Sequence, residues 1–293
     1  MAECVEYCNS DPVKGETFVV KEKDGDNSDS ETDPANWPEV RAADQFDQFN
    51  VKAYLEVFYE TPHSNDAMKI VLFFLPNLVY RIPVGGTLFD LGAGPTVHVP
   101  LTFRDRVDSI FTSDYAPASQ LELRRWWKKE PGHFDWSTIC DHINSLERSG
   151  PEARRTMEQV TRDKIRAVLA VDVHSDSVID RKSVFPDDAI VPDLFDILVC
   201  IFCLEYASET LDQYTKAVSN AIKLLKPGGY LVQGGVMQKH GYSCGGRRYR
   251  CHYLIESDLM QCLAANGMET DGDHFRMISH INVFLLVSRK KLQ

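Results

Sequence analysis

A glycine turn directly after an apolar run is the strongest chemical signal in this sequence. Thr87–Asp90 is a short apolar segment that closes on an acid, and Gly92, Ala93 and Gly94 follow at once. The pattern predicts a strand that ends in a tight turn, where bare backbone can approach a ligand. Doubly wound α/β folds bind nucleotides at such turns. By itself Gly-x-Gly fits a plain turn beside a satisfied aspartate equally well, so the context decides.

A second apolar run, residues 109–113, also closes on an acid, Asp114. Its offset from Asp90 is close to the roughly 20 residues at which an acid binds ribose hydroxyls. Val97 stands where the dinucleotide fingerprint has its third glycine, which argues against NAD. A ribose acid, a Gly-Ala-Gly turn and no adjacent basic residue together predict S-adenosylmethionine as the cofactor.

Composition limits the possible partners. The 293 residues are 43% hydrophobic and 26% charged, which suits one large α/β domain with some decoration. A net charge of −11 disfavours nucleic acid and suits a small neutral or cationic substrate. Nothing resembles a signal peptide or a membrane span, so a cytoplasmic protein with reduced cysteines is expected. Cys200 and Cys203 are three apart in a predicted strand and face opposite sides, so no metal site is predicted.

The chain divides into a tail and one domain. Residues 1–43 are predicted to be an acidic tail, because residues 21–34 are too polar to offset the entropy of ordering. Order is expected from Asp44, so the domain spans 44–293. Within it, 44–80 is predicted to form a helical lid and a buried helix. The polar segment 137–166 is predicted to be a helical insertion that caps the sheet.

The remaining elements predict a mostly parallel sheet with an antiparallel closing hairpin. A strand over 167–173 contains Asp172, and an unbroken apolar strand over 195–204 precedes Glu205, as expected when both faces are covered. A helix over 216–225 stops at Lys-Pro-Gly-Gly. A strand over 230–237, a helix over 256–266 and a hairpin over 275–288 complete a Rossmann-like doubly wound α/β fold.

Three further segments carry a resemblance to a known family. They are residues 49–59, the run Lys-Lys-Glu-Pro-Gly-His-Phe-Asp-Trp at 128–136, and Phe-Cys-Leu-Glu at 202–205. With the glycine turn, they resemble the small-molecule amine N-methyltransferases, which include the nicotinamide, phenylethanolamine and indolethylamine enzymes. The resemblance runs from about Phe46 to the C-terminus. It implies the class I S-adenosylmethionine-dependent methyltransferase fold, an N-terminal lid over the cofactor, and a monomer.

The resemblance also implies a set of cofactor contacts. Tyr54 and Tyr59 match lid positions at the methionine part of the cofactor, and Asp172 with Val173 matches an adenine-binding pair. The full set is Tyr54, Tyr59, Gly92, Ala93, Gly94, Thr96, His98, Asp114, Tyr115, Ser119, Asp172, Val173 and Ile201. Ala93, His98 and Ser119 depart from the family's usual serine, tyrosine and amide. Simple packing of Tyr54 on Phe58, or a turn cap by Asp172, are the plainer interpretations.

The acceptor positions match neither subfamily completely. Gly235 stands where the nicotinamide enzyme has an aspartate, whereas Glu205 matches an acid of the phenylethanolamine enzyme. Lys239 departs from the second acid of that enzyme. Tyr242 matches an aromatic residue of the acceptor pocket in both enzymes, and Tyr206 is also expected to bind the substrate.

The predicted reaction needs little from the protein. A sulfonium is an activated methyl donor, so the enzyme must mainly hold donor and nitrogen close together in a dry site. An alkylammonium acceptor must first lose a proton, which Glu205 could accept directly or through one water. A pyridine such as nicotinamide, which gives 1-methylnicotinamide, needs no base. Alternatively, Glu205 pairs with a helix N-terminus or an arginine. The alternative functions are a catalytically silent nucleoside-binding protein and an NAD-dependent oxidoreductase.

Overall fold

The protein is represented by a computed structural model, which describes residues 36–62 and 65–292. The acidic segment 21–34 lies outside the described residues. The strands are β1 (Glu39–Val40), β2 (Thr87–Asp90), β3 (Ser109–Asp114), β4 (Ile165–Val171), β5 (Ile179–Phe185), β6 (Phe195–Ile201), β7 (Leu225–Val236), β8 (Gly241–Cys244), β9 (Arg247–Arg250), β10 (Phe275–His280) and β11 (Val283–Arg289).

The helices lie before the sheet and between its strands. They are α1 (Gln45–Gln48), α2 (Val51–Leu55), α3 (Asp66–Val79), α4 (His98–Phe103), α5 (Pro117–Lys128), α6 (Ser137–Glu147), α7 (Pro151–Lys164), α8 (Leu211–Lys223) and α9 (Glu256–Ala265). Helix α2 continues as a π-helical turn over Glu56–Glu60. Within 36–62 and 65–292, no helix has the length and apolar character needed to cross a membrane.

The central sheet has eight strands in the order β10-β11-β7-β6-β2-β3-β4-β5. The five strands from β7 to β4 are parallel, while β11 and β10 close one edge as an antiparallel hairpin. From β2 the chain builds outward through β3 and β4 and then returns to place β6 on the other side of β2. The crevice between β2 and β6 is therefore the switch point, where doubly wound sheets bind their ligands.

Both faces of the sheet are covered, which explains why the central strands are apolar without alternation. Leu88 and Phe89 are adjacent in β2, and both are fully buried, one in the core beneath α3 and α6 and the other in the core beneath α8 and α9. Phe89 stacks on Phe195 of the neighbouring β6, with ring centroids 4.6 Å apart. The predicted α/β architecture is confirmed.

Several boundaries differ from the prediction. Order begins before Asp44, because β1 pairs in parallel with β9 in a separate three-stranded sheet, β1-β9-β8. Strand β6 ends at Ile201 rather than at Leu204, and α8 begins at Leu211 rather than at residue 216. The edge strand β5 was not predicted, because its exposed residues Asp180–Lys182 carry no hydrophobic signal. The segment predicted as a helical cap forms α6 and α7, and an ion pair between Arg104 and Glu147 joins α6 to the end of α4.

Candidate functional site

A cavity of about 450 Å³ opens at the carboxyl edge of the parallel strands. Its floor comes from the turn after β2 and from the ends of β3, β4 and β6. Its roof comes from α2 and from the segment that precedes it. The cavity thus lies at the switch point of the sheet, where the glycine turn and the strand-terminal acids were expected to meet.

The glycine turn is fixed by close packing. Gly92 and Gly94 have φ angles of +67° and +62°, in the left-handed region that favours glycine. A Cβ atom on Gly92 would lie 2.2 Å from Sγ of Cys203. The amide of Ala93 donates to the carbonyl of Ser113 at 2.8 Å, which ties the turn to β3. The turn therefore presents backbone to the cavity in one defined conformation.

Asp114 is held by the backbone on both sides. Its Oδ2 accepts from the amide of Gly94 at 2.8 Å, and its Oδ1 accepts from the amide of Ala116 at 2.9 Å. Burial raises the pKa of this carboxyl to about 6, so it is ionised at neutral pH. Each carboxylate oxygen has a further lone pair. The residue can therefore accept hydrogen bonds from a pair of hydroxyl groups.

Asp172 and Val173 line the same cavity, just after the end of β4. Oδ1 of Asp172 accepts from the amide of His174 at 2.8 Å, which is the turn cap of the plainer interpretation. Nε2 of His174 contacts the carbonyl of Ala207 at 2.7 Å and joins this turn to the segment after β6. Because a carboxylate has four acceptor positions, the cap leaves Asp172 able to accept from a ligand.

The lid contacts the glycine turn through a buried polar cluster. The hydroxyl of Tyr59 lies 3.3 Å from Nδ1 of His98, and Oγ1 of Thr96 lies 3.1 Å from the same nitrogen. Thr96 also donates to the carbonyl of Ala93 at 2.7 Å. Burial lowers the pKa of His98 to about 3, so the ring is neutral. Histidine thus takes part here in a hydrogen-bonded cluster.

Aromatic rings form the other end of the cavity. Tyr206 and Tyr242 both line it, with ring centroids 5.2 Å apart in an edge-to-face arrangement. Tyr54 packs on Phe58 at 4.9 Å and lies 6.2 Å from Tyr242. Tyr54 therefore packs on Phe58 as the plainer interpretation had it, and it also lines the cavity. Flat aromatic walls suit a flat ligand and stabilise a cation over their faces.

Glu205 lies behind the wall of the cavity and does not line it. The residue is fully buried, and its Oε1 accepts from the amide of Val236 at 3.0 Å. Its Oε2 has no hydrogen-bond partner among the described residues. Burial raises the pKa of this carboxyl to about 8. Gly235 is likewise absent from the lining, although Tyr206 and Val236, the neighbours of the two residues, belong to it.

The cavity brings together the predicted cofactor residues with one exception. Those that line it are Tyr54, Tyr59, Gly92, Ala93, Gly94, Thr96, His98, Asp114, Tyr115, Asp172, Val173 and Ile201. Ser119 is fully buried beside Asp114 but does not line the cavity. The neighbouring Tyr115 is covered in part by Phe46, whose ring centroid lies 5.2 Å away.

Sequence reasoning missed the residues just before α1 and at its first position. Arg41, Ala42 and Gln45 line the cavity mouth. The amide of Ala42 donates to Glu209 at 3.2 Å, and the amide group of Gln45 donates to the carbonyl of Tyr206 at 3.0 Å. Arg41 and Ala42 fall within the predicted tail, and no hydrophobic pattern in this polar segment could have revealed their place in the site.

No metal site is found in the part of the chain that the structure describes. No cluster of three or more histidine, cysteine or acidic side chains could hold an ion there. Cys200 is buried in β6 and Cys203 lies in the turn beyond it. Neither forms a disulfide.

Two comparisons with known proteins agree with this geometry. A model of the NNMT/PNMT/TEMT family matches residues 38–291. The chain is 42% identical to a nicotinamide N-methyltransferase of Caenorhabditis elegans over 270 residues, which cover 91% of this chain and 98% of that protein. It is 30% identical to the human phenylethanolamine N-methyltransferase over 235 residues, which cover 78% of this chain and 81% of that protein.

Solved structures support the fold. The magnesium protoporphyrin IX methyltransferase of Synechocystis PCC 6803, solved with bound S-adenosylmethionine, superposes with a TM-score of 0.51 at 10% identity. The match covers 85% of this chain and 94% of that one. At this level of identity the likeness concerns the fold alone.

Proposed function

This chain belongs to the NNMT/PNMT/TEMT family and is an S-adenosylmethionine-dependent N-methyltransferase, and from that premise we propose that its acceptor is a flat nitrogen heterocycle of the nicotinamide type. The reaction would convert nicotinamide to 1-methylnicotinamide. The identity to the nicotinamide enzyme of C. elegans, 42% against 30% for the human phenylethanolamine enzyme, supports this choice. We also propose that the protein is a cytoplasmic monomer and that it has no nucleic-acid partner; the net charge of −11 supports the absence of a nucleic-acid partner.

The cofactor end of the cavity fits S-adenosylmethionine. We assign the ribose hydroxyls to Asp114, which lines the cavity and retains acceptor capacity, and the adenine amino group to Asp172. The turn at Gly92 and Gly94 would receive the amino-acid part through backbone, with the lid tyrosine Tyr59 above it. Ser119 would act on Asp114 rather than on the cofactor, because it lies outside the lining.

One observation supports the choice of acceptor. Aromatic rings line the acceptor end of the cavity, and Glu205, the acid beside them, is buried and does not reach the cavity surface. An alkylammonium acceptor would need a base in contact with it or one water away. Glu205 is fully buried and absent from the cavity lining. The nitrogen of a pyridine carries a free lone pair at neutral pH and needs no such contact. Tyr206 and Tyr242 would hold its ring flat.

The chain itself positions the reacting groups and stabilises the charge that develops on the acceptor. S-adenosylmethionine supplies a methyl group on a sulfonium, which is already activated for displacement. The lid residues Tyr54 and Tyr59 exclude water, and the aromatic wall orients the nitrogen toward the methyl group. The ring becomes cationic as the bond forms. The π faces of the tyrosines and an ionised Glu205 stabilise that charge.

An arylalkylamine is the second candidate, because Glu205 has a pKa raised to about 8, which suits a base near neutral pH. Methyl transfer to nicotinamide, phenylethanolamine and tryptamine, measured in parallel from pH 6 to 10, separates the two. For nicotinamide we expect the largest kcat/KM and a flat profile above pH 8. An alkylamine would rise about tenfold per pH unit toward its own pKa near 10. A larger kcat/KM for either amine would refute the proposal.

A further inference from the structure

Gly235, the second-to-last residue of β7, lies directly under the carboxyl group of Glu205. A Cβ atom on Gly235 would lie 2.5 Å from Oε1, 2.8 Å from Cδ and 2.9 Å from Oε2 of Glu205. All three distances are shorter than a carbon atom tolerates without a shift of its neighbour. The backbone of Gly235 is not in the left-handed region. Glycine is therefore required here because a side chain would collide with Glu205, and not because of the backbone conformation.

The carboxyl group of Glu205 is attached to β7 by a hydrogen bond. Its Oε1 accepts the amide hydrogen of Val236, the residue after Gly235. Its backbone carbonyl accepts from the amides of Ser208 and His252, which fixes the main chain at the base of the side chain. Oε2 is buried and has no partner among the described residues. One oxygen is thus anchored on β7, and the other is left buried behind the wall of the cavity.

The space that this carboxyl group fills adjoins the aromatic end of the cavity. Val236, whose amide holds Oε1, lines the cavity, and so does Tyr206, the residue after Glu205. The charge of Glu205 also contributes to raising the pKa of both Tyr54 and Tyr206 above the usual range. The carboxyl group is therefore within electrostatic reach of whatever ring lies between these tyrosines.

We propose that residues 205 and 235 form one specificity position, in which a single acid lies behind the aromatic wall of the acceptor site and glycine at 235 makes room for it from Glu205. A side chain on residue 235 and the carboxyl group on residue 205 compete for the same volume, so only one can occupy it. The proposal rests on the acceptor site described above. It adds that the acid can be supplied from either strand end.

The geometry makes the proposal testable without loss of the fold. The atoms that a new Cβ would meet are the far end of a flexible side chain, so Gly235→Ala should turn Glu205 aside and leave β7 paired. The test compares kcat/KM for nicotinamide at pH 8.5 in the wild type, Gly235→Ala, Glu205→Ala, the double variant with both alanines, and Glu205→Ala with Gly235→Asp. The Kd of S-adenosylhomocysteine for each protein reports the state of the cofactor end.

We expect each single variant to lose at least tenfold in kcat/KM while the Kd changes less than about twofold. The double alanine variant should be no worse than Glu205→Ala, because the carboxyl group is already displaced. Moving the acid to residue 235 should recover at least tenfold over Glu205→Ala. Gly150→Asp is the matched control, since Gly150 is exposed with open space around it and is not in the left-handed region.

Three results would overturn the proposal: an unimpaired Gly235→Ala, losses that multiply in the double alanine variant, or no recovery when the acid is moved. If the aspartate variant fails to fold, the comparison of the alanine variants decides alone. A wild type that prefers an alkylamine would refute the assigned acceptor and not this inference. The same variants, measured with that amine as the substrate, would still test whether residues 205 and 235 are coupled.

Discussion

The two ends of the cavity are built by different means. At the cofactor end, backbone atoms dominate: the amides of Gly94 and Ala116 hold Asp114, and the amide of Ala93 holds the turn to β3. At the acceptor end, side chains from separate elements meet, with the rings of Tyr206 and Tyr242 packed edge to face. Backbone geometry at the end of a parallel sheet tolerates little change, whereas a wall of side chains can be rebuilt by one substitution.

The difference predicts that substitutions at the two ends fail in different ways. Damage to the cofactor end should abolish binding of any S-adenosyl compound, and the acceptor then becomes irrelevant. Damage to the acceptor end should leave cofactor affinity intact and change only which nitrogen is methylated, and how fast. The lid lies over both ends, so its loss should affect both modestly.

The largest effect is expected for Asp114→Asn at the cofactor end. The amide offers only one acceptor oxygen where two backbone amides now donate, so one buried donor loses its partner, at about 1–3 kcal/mol, in addition to the lost ribose contacts. We expect the Kd of S-adenosylhomocysteine, measured by calorimetry, to rise at least 50-fold. Asp188→Asn, at an exposed acid, is the control.

The pH dependence of the same Kd provides a second readout. Burial raises the pKa of Asp114 to about 6, so the carboxyl group takes up a proton as the pH falls through that value. A ligand that needs the ionised form should therefore bind more weakly at pH 5 than at pH 7.5. The Asn variant should lack this step. A wild-type affinity that is unchanged between these pH values would exclude Asp114 from ribose binding.

A smaller effect is expected for Tyr249→Phe, which loosens the lid. The hydroxyl of Tyr249 accepts from the amide of Asn50, just before α2, at 3.1 Å, and its ring stacks on Tyr242 with centroids 5.0 Å apart. Loss of one such hydrogen bond costs about 1 kcal/mol. We expect KM to rise about fivefold for cofactor and acceptor alike, whereas Tyr80→Phe, at an exposed ring, should change neither. A change in only one KM would show that the lid does not span both ends.

Much of the fold and of the cofactor end could be predicted from the sequence. Apolar runs that close on Asp90 and Asp114 identify buried parallel strands, and Gly-Ala-Gly identifies the turn between them. These signals are local, because burial and backbone conformation are set by the residues that carry them. The polar strands could not be found in this way. Strand β1 exists through its pairing with β9, and β5 is an exposed edge.

The acceptor end could not be predicted for a related reason. In the sequence, Gly235 departs from the nicotinamide enzyme and Glu205 matches the phenylethanolamine enzyme, and nothing connects these two positions thirty residues apart. Only the pairing of β6 with β7 brings them into one volume. The burial of Glu205, which removes it from the cavity lining and raises its pKa, likewise depends on the packing of residues distant in the sequence. The sequence therefore identifies Glu205 as a candidate, but only the tertiary contacts show that it is buried behind the acceptor site.

The most direct test of the separation between the two ends is a comparison of wild type with Glu205→Gln at pH 6.5 and pH 9. Because the carboxyl group has a pKa near 8, or lower beside a cationic cofactor, the wild type carries the charge at pH 9 and Gln never does. We predict about a tenfold advantage of the wild type in kcat/KM for nicotinamide at pH 9, a smaller one at pH 6.5, and equal Kd values for S-adenosylhomocysteine. Parallel pH profiles, or a Kd that falls together with kcat/KM, would contradict the account.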